Sequence, residues 1–175
     1  MPLGSFSRRF SLQHQPGGDI LRMWHVDLLW CLPYKQLVAQ WRECCCIAKN
    51  WADYGSPGHI LVNVITKYPL IYFCWYCHAV LEEMWMRDYE VRELSVTHIN
   101  KNIDIIRDNL GYFDLYADVL NPIPEDVKIY PNWMNDRYLL QCYYNLEEKY
   151  DRGGVSPTEW EIFEDYVSSR VEHLL

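Results

Sequence analysis

Apolar residues recur at helical spacing along most of this chain. Pro33 suits a first helical position, because the N–H it lacks would have no partner there. Behind it Leu37, Trp41, Cys44 and Ala48 form one stripe, with Lys35, Gln36, Gln40, Glu43 and Lys49 mostly off it. Asn50 to Gly58 reads as a loop broken by Gly55-Ser-Pro-Gly58, and His59 to Thr66 fits a short strand or the start of a helix. Pro69 opens a second helix, and Leu70 to Trp85 is apolar nearly all round, the pattern of a central buried helix. Residues 89–134 read as irregular, apart from a short helix around Asn100–Leu110 and a loop at Asn121-Pro-Ile-Pro-Glu125. Asn135 can cap a helix whose apolar face is Tyr138, Leu139, Cys142 and Leu146, ended by Gly153-Gly154. Ser156-Pro157-Thr158-Glu159 joins a Ser cap, a Pro at the first position and a Glu at the third; Trp160, Phe163, Val167 and Val171 then share a face. Together these signals predict a mainly α fold, one compact domain of a few long helices over residues 21–175. Residues 1–20 read as a flexible leader, with Pro16-Gly17-Gly18 as linker.

Composition narrows the function classes. Half of the residues are hydrophobic and 15% are aromatic, which argues for a packed core and against disorder. Eight Trp and fourteen Tyr can build that core, a stacking surface, or both. The net charge of −8 is uneven: residues 22–100 carry seven Lys/Arg against eight Asp/Glu, and residues 101–175 carry seven against fifteen. Binders of duplex DNA usually carry a basic footprint, so the global acidity counts against DNA binding, although it leaves room for a local basic cleft in the near-neutral half. The seven Cys, the lack of a secretory signal and the lack of a run of about 18 apolar residues fit a reduced, cytoplasmic protein without a membrane segment.

Candidate chemistry centres on Arg42-Glu43. Neighbours on a helix point about 100° apart, so the two do not pair with each other, yet both can reach one cleft from a helix edge. Glu43 could move protons and Arg42 could hold a phosphate; a solvated or core-edge ion pair is the plainer alternative. Cys74-Trp-Tyr-Cys77 has redox spacing but sits in mid-helix, and no second C-x-x-C completes a zinc set, so these read as core cysteines. His25, His59 and His78 each suit a satisfied core histidine, with His59, beside Gly58 at a loop end, the most site-like. Tyr143, Tyr144 and the Trp133 loop could stack on bases but fit an aromatic core better.

The order of blocks adds a resemblance. Arg22-Met-Trp-His-Val-Asp-Leu-Leu29, Leu32-Pro-Tyr-Lys-Gln-Leu37 and Gln40-Trp-Arg-Glu-Cys-Cys45 follow one another. Then come Gly58-His59, Ala79-Val-Leu-Glu-Glu-Met-Trp-Met-Arg-Asp-Tyr89, Ile129-Tyr-Pro131 and Arg137-Tyr-Leu-Leu-Gln-Cys-Tyr-Tyr-Asn-Leu146. Over about residues 21–150 this resembles the pyrimidine dimer DNA glycosylase family of the phage endonuclease V type, nearest its branch beginning Met-Arg-x-Trp-His. The resemblance implies a mainly helical monomer without metal or organic cofactor. Such an enzyme removes a base from a pyrimidine dimer in double-stranded DNA and then cleaves the strand at the abasic site. By the same resemblance the α-amine at the Leu21 position is the nucleophile, forming an imine with the sugar, and Glu43 is the acid/base group. Arg22 and Arg42 contact the substrate, with Gln36, His59 and His25 as further contacts. The chain departs from the pattern in three ways. Twenty residues stand ahead of Leu21, so its nitrogen is an amide unless they are absent from the mature protein; Cys46 replaces an arginine; and the overall charge is acidic. These departures favour, as the alternative, a family member that binds protein or nucleic acid without catalysis.

Overall fold

The computed structural model describes residues 22–172 as five α-helices and two 3-10 helices, with no strand among the described residues. The mainly α expectation holds. Helix α1 spans Tyr34–Tyr54, with Pro33 as its cap. It runs through the predicted loop start at Asn50, because Trp51 and Ala52 continue the buried stripe of Cys44, Ile47 and Ala48. It stops at Gly55, whose φ of 80° is left-handed and whose N–H closes onto the Trp51 carbonyl. The stretch from His59 is neither strand nor α-helix but a turn leading into a 3-10 helix, Asn63–Lys67.

Helix α2, Leu70–Met86, is the central helix: Phe73, Cys74, Tyr76, Cys77, Val80 and Leu81 are fully buried. Helix α3, Glu93–Asn109, begins seven residues before the predicted Asn100. Its cap position is Arg92, which makes no side-chain cap bond, so the sequence carries no start signal there. Ile99, Ile103 and Ile106 form its buried face. Helix α4, Asp136–Asp151, is capped by Asn135, whose side chain accepts the Tyr138 N–H. Helix α5, Pro157–Val171, begins with the predicted capping box of Ser156 and Glu159.

Helix α1 packs on α2 and α3, and α4 packs on α5. The first 3-10 helix, Val26–Cys31, contacts both α2 and α5 and so ties the two sets together. Arg87 fixes its far end: the guanidinium donates to the carbonyls of Leu29 (3.0 Å), Trp30 (2.6 Å) and Leu32 (2.7 Å), and pairs with Glu83 at 2.6 Å. No described helix is long and apolar enough to cross a membrane.

Candidate active site at the Arg22–His25 segment

Just ahead of the first 3-10 helix, residues 22–25 run without regular structure across the interior, where Met23, Trp24 and His25 are buried. A buried backbone needs partners for its polar groups, and here side chains supply them. Gln40, fully buried on α1, accepts the Trp24 N–H at 2.8 Å and donates to the Arg22 carbonyl at 3.0 Å. The Tyr76 hydroxyl on α2 donates to the Trp24 carbonyl at 2.7 Å, and the Tyr138 hydroxyl on α4 donates to the Met23 carbonyl. The His25 N–H reaches the Cys142 sulfur at 3.4 Å. Three helices thus grip one short segment much as neighbouring strands would.

At the open end of the segment lies Glu43. One of its carboxylate oxygens accepts the Arg22 backbone N–H at 2.9 Å. Glu43 stands three residues after Gln40 on α1, so one helix face both clamps the segment and presents the carboxylate. Glu43 is half-buried and Arg42 is exposed beside it. Leu21, expected to carry the nucleophile, lies outside the described residues.

A groove of about 620 Å³ opens at Arg22. Its side chain lies over the Trp24 ring, 5.3 Å from the centroid. The facing wall comes from α4, where Arg137, Gln141 and Asn145 recur every four residues, and from Asn132, Trp133 and Asn135 just before it. Ile60 and Leu61 form the rim. The lining holds two arginines and four side-chain amides, and no Asp or Glu among the described residues. In a chain of net charge −8, that composition leaves this groove open to a negatively charged ligand.

The remaining sequence candidates scatter. His25 is buried; its Nδ1 accepts the Asp27 N–H at 3.2 Å and its Nε2–H donates to the Met134 carbonyl at 2.8 Å. Both ring nitrogens therefore serve the fold, and burial holds its pKa below the usual histidine value. Gln36 lines a different groove, of about 770 Å³, with Tyr34, Lys35, Tyr150, Asp151 and Glu159. There its Oε1 is buried without a hydrogen-bond partner. His59 organises a turn beside the Arg22 groove: its Nδ1 accepts the Leu61 N–H at 3.3 Å. His78 bonds the Val119 carbonyl at 2.9 Å.

Cys74 and Cys77 are fully buried in α2, and desolvation pushes the Cys74 thiol up to about 12, far from a reactive thiolate. Tyr143 packs on Trp160 and Phe163 as a core residue, whereas Trp133 lines the groove while packing on Tyr130 and Tyr138. Sequence reasoning missed Gln40, Tyr76 and Tyr138. Gln40 had a usable signal, since it precedes Cys44 by one turn and so shares the buried stripe. The two tyrosines read as apolar by period, although buried hydroxyls usually have a partner.

Residues 21–95 match a family model described as pyrimidine dimer DNA glycosylase, which bears out the resemblance for the blocks up to Tyr89 and does not reach those at 129–131 and 137–146. The matched stretch holds Arg22, Gln40, Arg42 and Glu43; the facing wall of the groove, with Trp133, Arg137 and Tyr138, lies beyond it. No curated protein and no solved structure matches the chain.

Proposed function

We propose that this chain is a DNA glycosylase with abasic-site lyase activity, acting on pyrimidine dimers in duplex DNA through an α-amine at Leu21. The observation that carries the reading is the 2.9 Å contact between Glu43 and the Arg22 backbone N–H. Leu21 is bonded to Arg22, so its nitrogen is at most about one residue spacing, ~3.8 Å, from that amide. An α-amine titrates near about 7.7–8.0, so a useful fraction is neutral at pH 7. The neutral amine attacks C1′ of the damaged nucleotide, the base departs, and the sugar is held as an imine. The Glu43 carboxylate moves the protons that imine formation and strand elimination require. Arg22 and Arg137 hold phosphates at the groove, and Arg42 extends that grip from α1. Gln40, Tyr76 and Tyr138 are positioning residues that keep the segment against Glu43. His25 serves the same purpose from the closed end. The protein works in the cytoplasm as a monomer and draws on no metal or organic cofactor.

The test is strand cleavage of an ultraviolet-irradiated duplex by a chain whose first residue is Leu21. Nicks at dimer sites, absent from unirradiated DNA and from reactions with an N-acetylated chain, are expected. A chain with a free Leu21 amine that nicks neither dimer-containing nor abasic DNA contradicts the proposal and favours a non-catalytic binding role.

A further inference from the structure

We infer that Ile60 and Leu61 form an apolar wedge that enters the base stack of the damaged duplex held in the groove between Arg22 and Arg137. The inference rests on the DNA reading above. Ile60 is 85% exposed and Leu61 49%, side by side on the rim of that groove. Single exposed aliphatics need no explanation; two adjacent ones on the lip of a groove carrying two arginines and no carboxylate do.

The tip is built rather than slack. The His59 carbonyl accepts the N–H groups of Val62 (3.0 Å) and Asn63 (2.9 Å). The His59 N–H donates to the Asn63 side chain at 3.2 Å, and His59 Nδ1 accepts the Leu61 N–H at 3.3 Å. Val62 and Ile65, just behind the tip, are buried anchors. Their anchoring leaves the two preceding side chains facing outward. His59 is thus a positioning residue for the tip.

Apolar side chains pushed between base steps unstack and kink a duplex, and a damaged site opens at the least cost. The groove supplies the rest: arginines for phosphate, and Trp133 beside amides for base surface and edges.

The experiment uses the full chain and a duplex with 2-aminopurine opposite a tetrahydrofuran abasic analogue, so it reads opening without requiring chemistry. The wild-type chain should bind this duplex more tightly than an intact one and raise its fluorescence. I60S/L61S should lose most of that rise and bind the abasic duplex about tenfold more weakly, from the lost apolar contact. Its affinity for intact duplex should change less than about twofold, since phosphate contacts dominate there. H59A should move the same two readouts, and thermal unfolding should confirm that each variant is folded. I60S/L61S that keeps both the fluorescence rise and the affinity overturns the wedge alone. A wild-type chain that binds neither duplex overturns the wedge and the DNA reading together.

Discussion

The groove at Arg22 and the groove at Gln36 have similar volumes, about 620 and 770 Å³, and differ in what their walls carry. The first joins two arginines, four amides and an apolar rim to the carboxylate of Glu43 through the Arg22 backbone. The second sets Lys35 against Asp151 and Glu159. The Glu159 carboxylate is already spent on the Ser156 and Tyr34 N–H groups, at 3.2 and 3.0 Å. A phosphate chain would meet two arginines and no carboxylate in the lining of one, and one lysine with two carboxylates in the other. Volume alone would pick the larger groove; charge and the partners of each polar group pick the smaller.

Removing the Glu43 carboxylate should separate the two grooves most strongly. In a chain beginning at Leu21, E43Q should lower the rate of strand cleavage by about a hundredfold to ten-thousandfold, the usual worth of general acid–base catalysis. K35A in the other groove should leave the rate unchanged. Equal losses in single-turnover assays would erase the distinction between the grooves.

Two buried glutamines, one beside each groove, should differ in their effect on stability. Gln40 satisfies two buried backbone groups, so Q40A should destabilise the fold by about 1–3 kcal/mol, the cost of leaving such groups unpaired. Gln36 buries an oxygen that has no partner, so Q36L should be neutral or stabilising by up to about 1 kcal/mol. Urea denaturation of the pair measures both, and a larger loss for Q36L contradicts the assignment of the clamp to Gln40.

The closed end of the segment adds a pH dependence. Burial depresses the pKa of His25 in the fold. As pH falls through the ordinary value of about 6.5, the unfolded chain takes up a proton that the folded chain resists. The His25 contribution is therefore complete above that pH and is lost as pH falls toward 5, at no more than about 1.4 kcal/mol per pH unit. Denaturation midpoints followed from pH 7.5 to 5 should decline less in H25Q than in the wild type. The smallest effect is expected at the wall: R137A should reduce the salt slope of duplex binding by about one, and R152A, at the exposed C-cap of α4 outside the Arg22 groove's lining, should not.

Much of the architecture was legible because it rests on local signals. The α5 capping box, the Asn135 cap and the all-round apolar run of α2 each specify their element within a few residues. The start of α3 was not legible, because Arg92 supplies no cap and tertiary burial of Ile99, Ile103 and Ile106 sustains the helix. The same division runs through the site. Arg42-Glu43 announces itself as charge on an apolar helix. The clamp on residues 22–24 does not, since its members lie on three helices far apart in sequence and two of them are tyrosines whose rings satisfy the hydrophobic period. His25 and Gln36 carried polar labels that pointed to substrate, yet one serves backbone groups and the other lines the second groove.

In the proposed mechanism the Glu43 carboxylate serves an amine one residue from the Arg22 amide. Borohydride reduction of the chain beginning at Leu21, mixed with abasic duplex and followed by peptide mapping, tests it most directly. A sugar adduct is expected on the peptide that starts at Leu21, attached to its α-nitrogen. An adduct on a lysine side chain, or no adduct at all, contradicts it.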